Sequence, residues 1–490
     1  MINTVYELIT DVMAKQYPDR VAFRYVAADG KTVVEKTYAQ YVQDIRRAVT
    51  YFKENIPDIK GKRVGIMSRN CYEYGVNSFG AILAGAVVVT INQKKTWPEL
   101  EYELGLAEPS LIVNDGIDYG CRPDIEAAYG DKLRPMDAFK DSAPAELVDC
   151  VGHDDLMVLM FTSGTTGRSK GVMLSEKNYF TACQMYIDGQ KVIPDQKERL
   201  APQNLDQTFS HFTLVPMFHL AGFICYFVYG IQGWTLNLCC DARDLRRDMS
   251  LMHSDAMSTP PVLVEMIYNE IKRGHADRLN GLWNLSCSSA ILDPAILSEL
   301  VKNGFYINQC YSMTELAGYG LLNVTQEGDH LRALGKPDGF CEVKVDENGE
   351  ICVRGGCVML GYYKDPEATA ETIDKDGWLH TGDLARVDEE GYYYMTGRKK
   401  NLIILDSGEN ISPEELEGIV GKCEAVKECV VKEMGKKIGV VVYCGEDKQQ
   451  QVRDFITEAN RTLPLYKRMS AVEFSTEPLP RNGAGKLLRQ

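Results

Sequence analysis

The sequence has no C-x-x-C pair, although it carries fifteen cysteines, and it has only seven histidines. Its tightest cysteine groupings are Cys239–Cys240 and Cys352/Cys357. Zinc ligands normally arrive as two close pairs, so no Cys/His metal motif is readable. The odd cysteine count argues against a disulfide framework, and the thiols read as small buried apolar residues of a chain kept reduced. Basic residues are in deficit: 54 Lys and Arg face 69 Asp and Glu, a net charge of −15. An acidic surface repels nucleic-acid phosphates and anionic lipid, which excludes both as bulk partners. An anionic substrate then needs a local basic site. The N-terminus, MINTVYELITDVMAKQYPDR, carries acids early and lacks the apolar run of a signal peptide, so a cytoplasmic location is expected. The stretch FTLVPMFHLAGFICYFVYGIQGWTLNLCC is long enough to cross a bilayer. Pro216, His219, Gly222, Gln232 and Asn237 interrupt it, and no Lys/Arg cluster flanks it. A buried helix followed by a buried strand over 234–240 is therefore expected instead of an integral span. Internal repeats and low-complexity tracts are also missing.

What is present is ordinary globular texture: 490 residues, 45% apolar and 25% charged, enough for several subdomains around large cores. Arg63–Arg69 reads as a strand, residues 70–86 as a helix and 86–92 as a buried strand. That β-α-β rhythm predicts parallel sheets covered by helices, and it continues from the apolar strand at 156–161 to about residue 330. After about 335 the texture changes. FCEVKVD-ENG-EICVRG reads as two alternating strands around an Asn348–Gly349 turn. GYYYMTGR and NLIILD add strands, and Ser412-Pro413-Glu414-Glu415 opens a helix: Ser412 as N-cap, Pro413 at the first position, Glu415 closing a capping box. The tail reads as strand, hairpin, helix and strand. The fold class is α/β: a large N-terminal domain of parallel-type sheets covered by helices with a small β subdomain, and a small, mobile α+β C-terminal domain. The division is expected near Gly397–Lys400, giving domains 1–397 and 398–490.

The segment most suited to chemistry runs Thr162-Ser163-Gly164-Thr165-Thr166-Gly167-Arg168-Ser169-Lys170-Gly171 after an apolar strand. Its glycines let backbone approach a ligand, its hydroxyls donate, and Lys170 supplies charge, which is what cradling a polyphosphate requires. G-x-x-x-x-G-K-[ST] cannot be laid over it, so it is not a Walker A loop. The bland alternative is a polar surface loop.

T-S-G-T-T-G-x-x-K-G resembles the phosphate loop of the adenylate-forming (AMP-binding) superfamily, which includes acyl-CoA synthetases, luciferase and peptide-synthetase adenylation domains. Further segments match in the family's order. Tyr311-Ser312-Met313-Thr314-Glu315 resembles Y-G-x-T-E, Gly377–Asp383 resembles G-W-x-x-T-G-D, Gly397-Arg398-Lys399-Lys400 resembles the hinge segment, and Pro480–Lys486 resembles the terminal P-x-x-x-x-G-K. Together they cover about residues 160–486; the first 150 fit more loosely.

The resemblance implies the following site. Thr162, Ser163, Gly164, Thr165, Thr166, Gly167 and Lys170 bind ATP phosphates. Glu315, with Thr166, holds Mg²⁺, a role a hard carboxylate suits. Thr314 meets the α-phosphate. Tyr311 offers a face for adenine, with Gln309 and Cys310 before it and Ser288, Ser289 and Ala290 beside it. Asp383 and Arg398 meet the ribose. Lys486 neutralises charge as a carboxylate attacks the α-phosphorus, Lys400 is the hinge, and Gly408 lines a CoA channel. Glu315, Thr314 and Lys486 are the catalytic set. Val215–Gly222 is similar to the P-x-F-H-x-x-G segment of acyl- and aryl-CoA synthetases, which makes Phe218, His219, Gly222, Ser312 and Met313 candidates for the acid pocket. A histidine where amino-acid-activating relatives carry aspartate favours an uncharged carboxylic acid tail. The run Phe218–Tyr229 suits either an acyl or aryl wall or plain core. GRKKNLIILDSGENISPEELE looks most like the long-chain acyl-CoA synthetase branch. Three departures stand out: Ser169 for the loop proline, Ser312 for the glycine after the tyrosine, and Cys287-Ser288-Ser289-Ala290 for a glycine-rich adenine segment.

The implied function is ATP-dependent activation of a carboxylic acid to an acyl-adenylate, then transfer to a thiol, with ATP, Mg²⁺ and CoA as cofactors. The alternative acceptor is the phosphopantetheine of a separate carrier protein; the chain ends at the terminal motif, so no fused carrier is expected. A degenerate nucleotide-binding scaffold is a third reading, which the joint presence of Thr314, Glu315, Asp383, Arg398 and Lys486 disfavours.

Overall fold

The computed structural model describes residues 2–162, 168–191, 209–288, 292–326, 328–337, 339–404, 410–435, 437–481 and 487–489. The chain divides into two compact units. The first is Met1–Val343 with Val353–Leu379, and the second is Lys344–Cys352 with His380–Gln490. The change of texture expected after about 335 thus coincides with the first crossing at 343/344.

The first unit contains two large sheets. One has seven strands in the order Gly361–Tyr362, Lys170–Leu174, Val158–Thr162, Val87–Thr90, Arg63–Met67, Leu111–Asn114, Leu133–Pro135. Its inner pairings are parallel, while Lys170–Leu174 and Gly361–Tyr362 run antiparallel at one edge. Every residue of Val87–Thr90 and Leu111–Asn114 is buried. Such continuous apolar strands are what a sheet covered on both faces requires. The other sheet has eight strands: Gly318–Asn323, Tyr306–Met313, Asn284–Ser288, Ala256–Thr259, Ser210–Thr213, Thr235–Leu238, Val21–Val26, Val33–Thr37. It too is parallel inside and antiparallel at both edges. The expected parallel sheets are present, and the antiparallel edges are what the β-α-β rhythm did not reveal.

The apolar stretch around 210–240 resolves into strand Ser210–Thr213, helix Leu220–Gln232 and strand Thr235–Leu238. Among the described residues, no helix is long and apolar enough to cross a membrane. The helix is buried because it carries apolar residues on all its faces. Its Phe227 stacks on Tyr179 at 4.9 Å and meets Phe79 edge-on at 5.2 Å. Three helices, Leu220–Gln232, Glu176–Lys191 and Tyr72–Leu83, are thereby tied into one aromatic core.

The second unit owns most of a four-stranded sheet ordered Glu342–Val345, Glu350–Arg354, Leu379–Val387, Tyr393–Arg398. The first two strands are joined by the expected turn, closed by Gly349 N–H donating to the Asp346 carbonyl at 3.0 Å. A three-stranded sheet, Glu428–Met434, Lys437–Tyr443 and Ala471–Ser475, packs with helices Pro413–Val420 and Gln449–Thr462 around an aliphatic core that includes Ile411, Leu416, Val440, Val442 and Val452. One local expectation is met in part and another needs correction. Of the strand read over NLIILD, the described residues form Ile403–Ile404, paired with Asn410–Ile411, and residues 405–406 lie outside the described residues. Ser412 caps the next helix by accepting from Glu415 N–H, but Glu415 does not close a capping box, because its carboxylate pairs with Lys467 Nζ at 2.7 Å.

Candidate active site

In the first unit, two sequence-selected segments meet on one tyrosine that belongs to neither. Thr162 ends its strand, Lys170 opens the next, and the two pair across the antiparallel ladder. Ser163, Gly164, Thr165, Thr166 and Gly167 lie outside the described residues. Lys170 Nζ sits 4.7 Å from the centre of the Tyr362 ring, a cation–π distance. The Tyr362 hydroxyl donates to Glu315 Oε1 at 3.1 Å. Burial, and then the charge of Glu315, push the Tyr362 phenol up, so it stays a donor. The same sheet edge holds the Glu315 backbone, whose carbonyl accepts from Met359 N–H at 2.9 Å. Thr314–Leu316 is a single 3₁₀ turn. It ends on buried Ala317 at φ 52°, a left-handed conformation that costs a non-glycine residue roughly 1–2 kcal/mol.

Tyr311, Ser312 and Met313 end the strand Tyr306–Met313, all half-buried. A bulge falls between Tyr311 and Ser312, a device that re-aims the side chains beyond it. Ser288 ends the neighbouring parallel strand, paired with Cys310, while Ser289 and Ala290 lie outside the described residues. The side chains of Gln309 and Cys310 serve the fold. Gln309 Oε1 accepts from Leu292 N–H at 3.1 Å and its Nε2 donates to the Leu331 carbonyl at 2.9 Å. Cys310 is buried, which pushes its thiol up to about 12.

The acid-pocket candidates sit where the chain enters helix Leu220–Gln232. Phe218 is buried and packs 4.6 Å from the ring of exposed His219. Gly222 answers a steric demand, since a Cβ there would stand 2.3 Å from the Pro216 carbonyl oxygen. Asn70, which no motif singled out, fastens the segment: Nδ2 donates to the Val215 carbonyl and Oδ1 accepts from Met217 N–H, both at 3.0 Å. Beyond Leu220 the aromatic run packs as core. Tyr229 bonds His211 Nδ1 at 2.8 Å, and His211 Nε2 accepts from Ser258 N–H at 3.1 Å. That acceptor role places the ring proton on Nδ1, and full burial lowers the His211 pKa to about 3, so the ring is neutral.

In the second unit, Asp383 and Arg398 face each other across paired strands, with Arg398 Nε 3.0 Å from Asp383 Oδ1. Asp383 is 7% exposed. Gly382 before it takes φ 74°, so a side chain there would strain the turn, and Thr381 Oγ1 accepts from Asp383 N–H at 3.1 Å while donating to the Ile351 carbonyl. Lys400 lies exposed in the 3₁₀ turn Lys399–Asn401. Gly408 and Lys486 lie outside the described residues. The flanks of the terminal motif are anchored within this unit. Arg481 pairs with Glu428 at 2.7 Å, Leu488 N–H donates to the Pro480 carbonyl at 2.9 Å, and Arg489 reaches Glu417 at 2.7 Å and Glu414 at 3.1 Å.

Known proteins resemble the chain at both levels. A family model described as AMP-binding enzyme matches residues 11–363. Feruloyl-CoA synthase of an Amycolatopsis species is 31% identical over 454 residues, 88% of each chain. 4-Coumarate–CoA ligase 3 of Oryza sativa subsp. japonica is 26% identical, over 96% of this chain and 89% of the relative. The solved O-succinylbenzoate coenzyme A synthetase of Bacillus subtilis, in complex with AMP, superposes with a TM-score of 0.81 at 24% identity, covering 99% of this chain and 97% of that one, which establishes the shared fold.

Proposed function

The chain belongs to the AMP-binding enzyme family, and from that premise we propose that it joins a carboxylic acid without an α-amino group to coenzyme A through an acyl-adenylate. The observation that carries this reading is the convergence of Lys170 and Glu315 on Tyr362. A phosphate-loop cation and a hard carboxylate on one scaffold suit an ion-bound triphosphate. Glu315 would hold Mg²⁺, together with Thr166, and the ion supplies charge neutralisation on the phosphates.

In the first step a carboxylate oxygen bonds to the α-phosphorus and the bond to the bridging oxygen breaks, releasing pyrophosphate. Lys170 and Thr162, with Ser163–Gly167, bind phosphates, and Thr314 orients the α-phosphate. Tyr311 stacks on adenine beside Ser288–Ala290. Asp383 accepts both ribose hydroxyls, held in place by Arg398. Lys486 neutralises charge on the oxygens around phosphorus. In the second step the thiol sulfur attacks the acyl carbon and AMP leaves. Residues 398–490 act as a lid that turns at Lys400 between the steps, and Gly408 leaves room for the pantetheine arm. Phe218, His219, Gly222, Ser312 and Met313 receive the acid, with no carboxylate among them for an ammonium. The relatives named for feruloyl and coumarate acids make arylpropenoic acids the first to try.

The test is incubation with Mg·ATP, a panel of aryl, fatty and amino acids, and either CoA or a pantetheinylated carrier protein. The reading expects an acyl-CoA and AMP in equal amounts. A thioester formed on the carrier alone would replace CoA as acceptor, and ADP as the nucleotide product would overturn the reading.

A further inference from the structure

The second unit gathers a set of side chains that acid activation does not use. Asp346, Cys352 and His380 each offer a ligand atom, all within 4.8 Å of one another. Cys352 Sγ lies 3.5 Å from His380 Nδ1, and Glu350 Oε2 lies 3.3 Å from the same nitrogen. Cys352 and Glu350 are buried, at 0% and 2% exposure. Asp346 Oδ1 accepts from Asn348 and Glu350 N–H groups, both at 2.8 Å, which fixes that carboxylate at the turn.

We propose that Asp346, Cys352 and His380 form a site for a borderline divalent transition-metal ion, with zinc(II) the best match. The dimensions fit. Zinc at its usual ~2.3 Å to sulfur and ~2.0–2.1 Å to nitrogen, with tetrahedral angles, holds the two ligand atoms roughly 3.5 Å apart, and a nitrogen–oxygen edge is about 3.4 Å. The observed sulfur–nitrogen edge is 3.5 Å, and the Asp346, Cys352 and His380 ligand atoms all lie within 4.8 Å of one another. The donor set fits: thiolate and imidazole select zinc-like ions over magnesium. The charges fit as well. A Cys352 thiolate with Asp346 and Glu350 makes three negative charges, and the ion with Lys399, whose Nζ lies 3.0 Å from Glu350 Oε2, makes three positive. Glu350 stands beside the ligand set as an outer-shell carboxylate, its Oε2 3.3 Å from His380 Nδ1 and its Oε1 accepting from Gly382 N–H at 2.8 Å, a neighbour of the kind metal sites use. The thiol proton leaves to solvent as the metal binds. The site is distinct from the magnesium role given to Glu315 in the first unit, and it does not depend on the proposed activity. A bound ion would tie the Glu350–Arg354 and Leu379–Val387 strands together immediately before Asp383.

The same distances also fit a hydrogen-bonded thiol, imidazole and carboxylate with no ion, so the test must see the metal. Cobalt(II) is titrated into the purified full chain in magnesium-free, chelator-treated buffer and followed by absorption. The proposal expects about one equivalent of tetrahedral cobalt, with an intense visible band, a near-ultraviolet thiolate-to-cobalt band, and loss of both on adding zinc. Cys352→Ser should abolish the thiolate band, while Cys357→Ser, which removes a buried cysteine outside the set, should keep it. Should Cys352→Ser fail to fold, His380→Gln, at a partly exposed position, is expected to weaken cobalt binding at least tenfold. A thiolate band that never appears, one that survives Cys352→Ser, or affinity unchanged in His380→Gln would overturn the proposal.

Discussion

The two compact units present their candidate groups by different physical means. In the first, Lys170 and Glu315 share the face and hydroxyl of Tyr362, in a unit whose core is aromatic, with Tyr179, Phe79 and Phe227 interlocked. In the second, Asp383 meets Arg398 directly and Glu350 meets Lys399, beside an aliphatic core. An aromatic scaffold fixes a charge's position without neutralising it, which suits Lys170, whose proposed partner is a phosphate. A direct ion pair fixes position by partial neutralisation, which suits Asp383, whose proposed partners are uncharged hydroxyls.

The contrast can be broken at the core first. Phe227→Ala should cost about 3–5 kcal/mol in the first unit. Differential scanning calorimetry combined with hydrogen exchange would check this: protection at Val440 and Val442 in the second unit should be unchanged, and a parallel loss there would mean that the cores do not behave independently. Next comes the ion pair. Asp383→Asn removes a charged acceptor worth about 1.5–3 kcal/mol, so kcat/KM for ATP should fall roughly 10–100-fold with circular dichroism intact.

A third test concerns the first unit's exception, Glu176. It is 1% exposed, accepts from Val5 N–H at 2.8 Å, and burial raises its pKa to about 7. A carboxyl raised in the folded state contributes stability that is fully present below its unfolded value and lost as pH rises through about 7. Glu176→Gln should therefore flatten stability against pH between about 5 and 7, by at most about 1.4 kcal/mol per pH unit. Urea melts across that range would read it, and an unchanged slope would contradict the assignment. The smallest effect belongs to Tyr362→Phe. It keeps the ring under Lys170 but removes one hydrogen bond to Glu315, about 0.5–1.5 kcal/mol, and should lower adenylation two- to tenfold. Tyr362→Ala should lower it further; equal effects would show that the ring face does not matter.

The motifs were legible because each is a short local run whose residues share one loop or strand end, as in Thr314-Glu315 or Thr381-Gly382-Asp383. The parallel sheets were legible because alternating helix and strand patterns force crossovers. Periodicity says which face a residue occupies, not which distant residue it meets. Tyr362 therefore escaped notice, as did Asn70 and the meeting of Glu350, Cys352 and His380. The Gln309 side chain bonds Leu292 N–H and the Leu331 carbonyl, partners far along the chain that no local run of sequence marks. Among the described residues the cysteines form no disulfide, and Cys183, Cys239 and Cys287 are among those in the interior.

The central claim is that a carboxylate attacks the α-phosphorus of ATP with Lys486 stabilising the charge that develops. Its most direct test is exchange of labelled pyrophosphate into ATP, with and without acid, in the unaltered chain and in Lys486→Ala. The account predicts exchange that requires the acid and falls by about 10²–10³ in the variant while ATP binding persists. Acid-independent exchange, or exchange undiminished in Lys486→Ala, would contradict it.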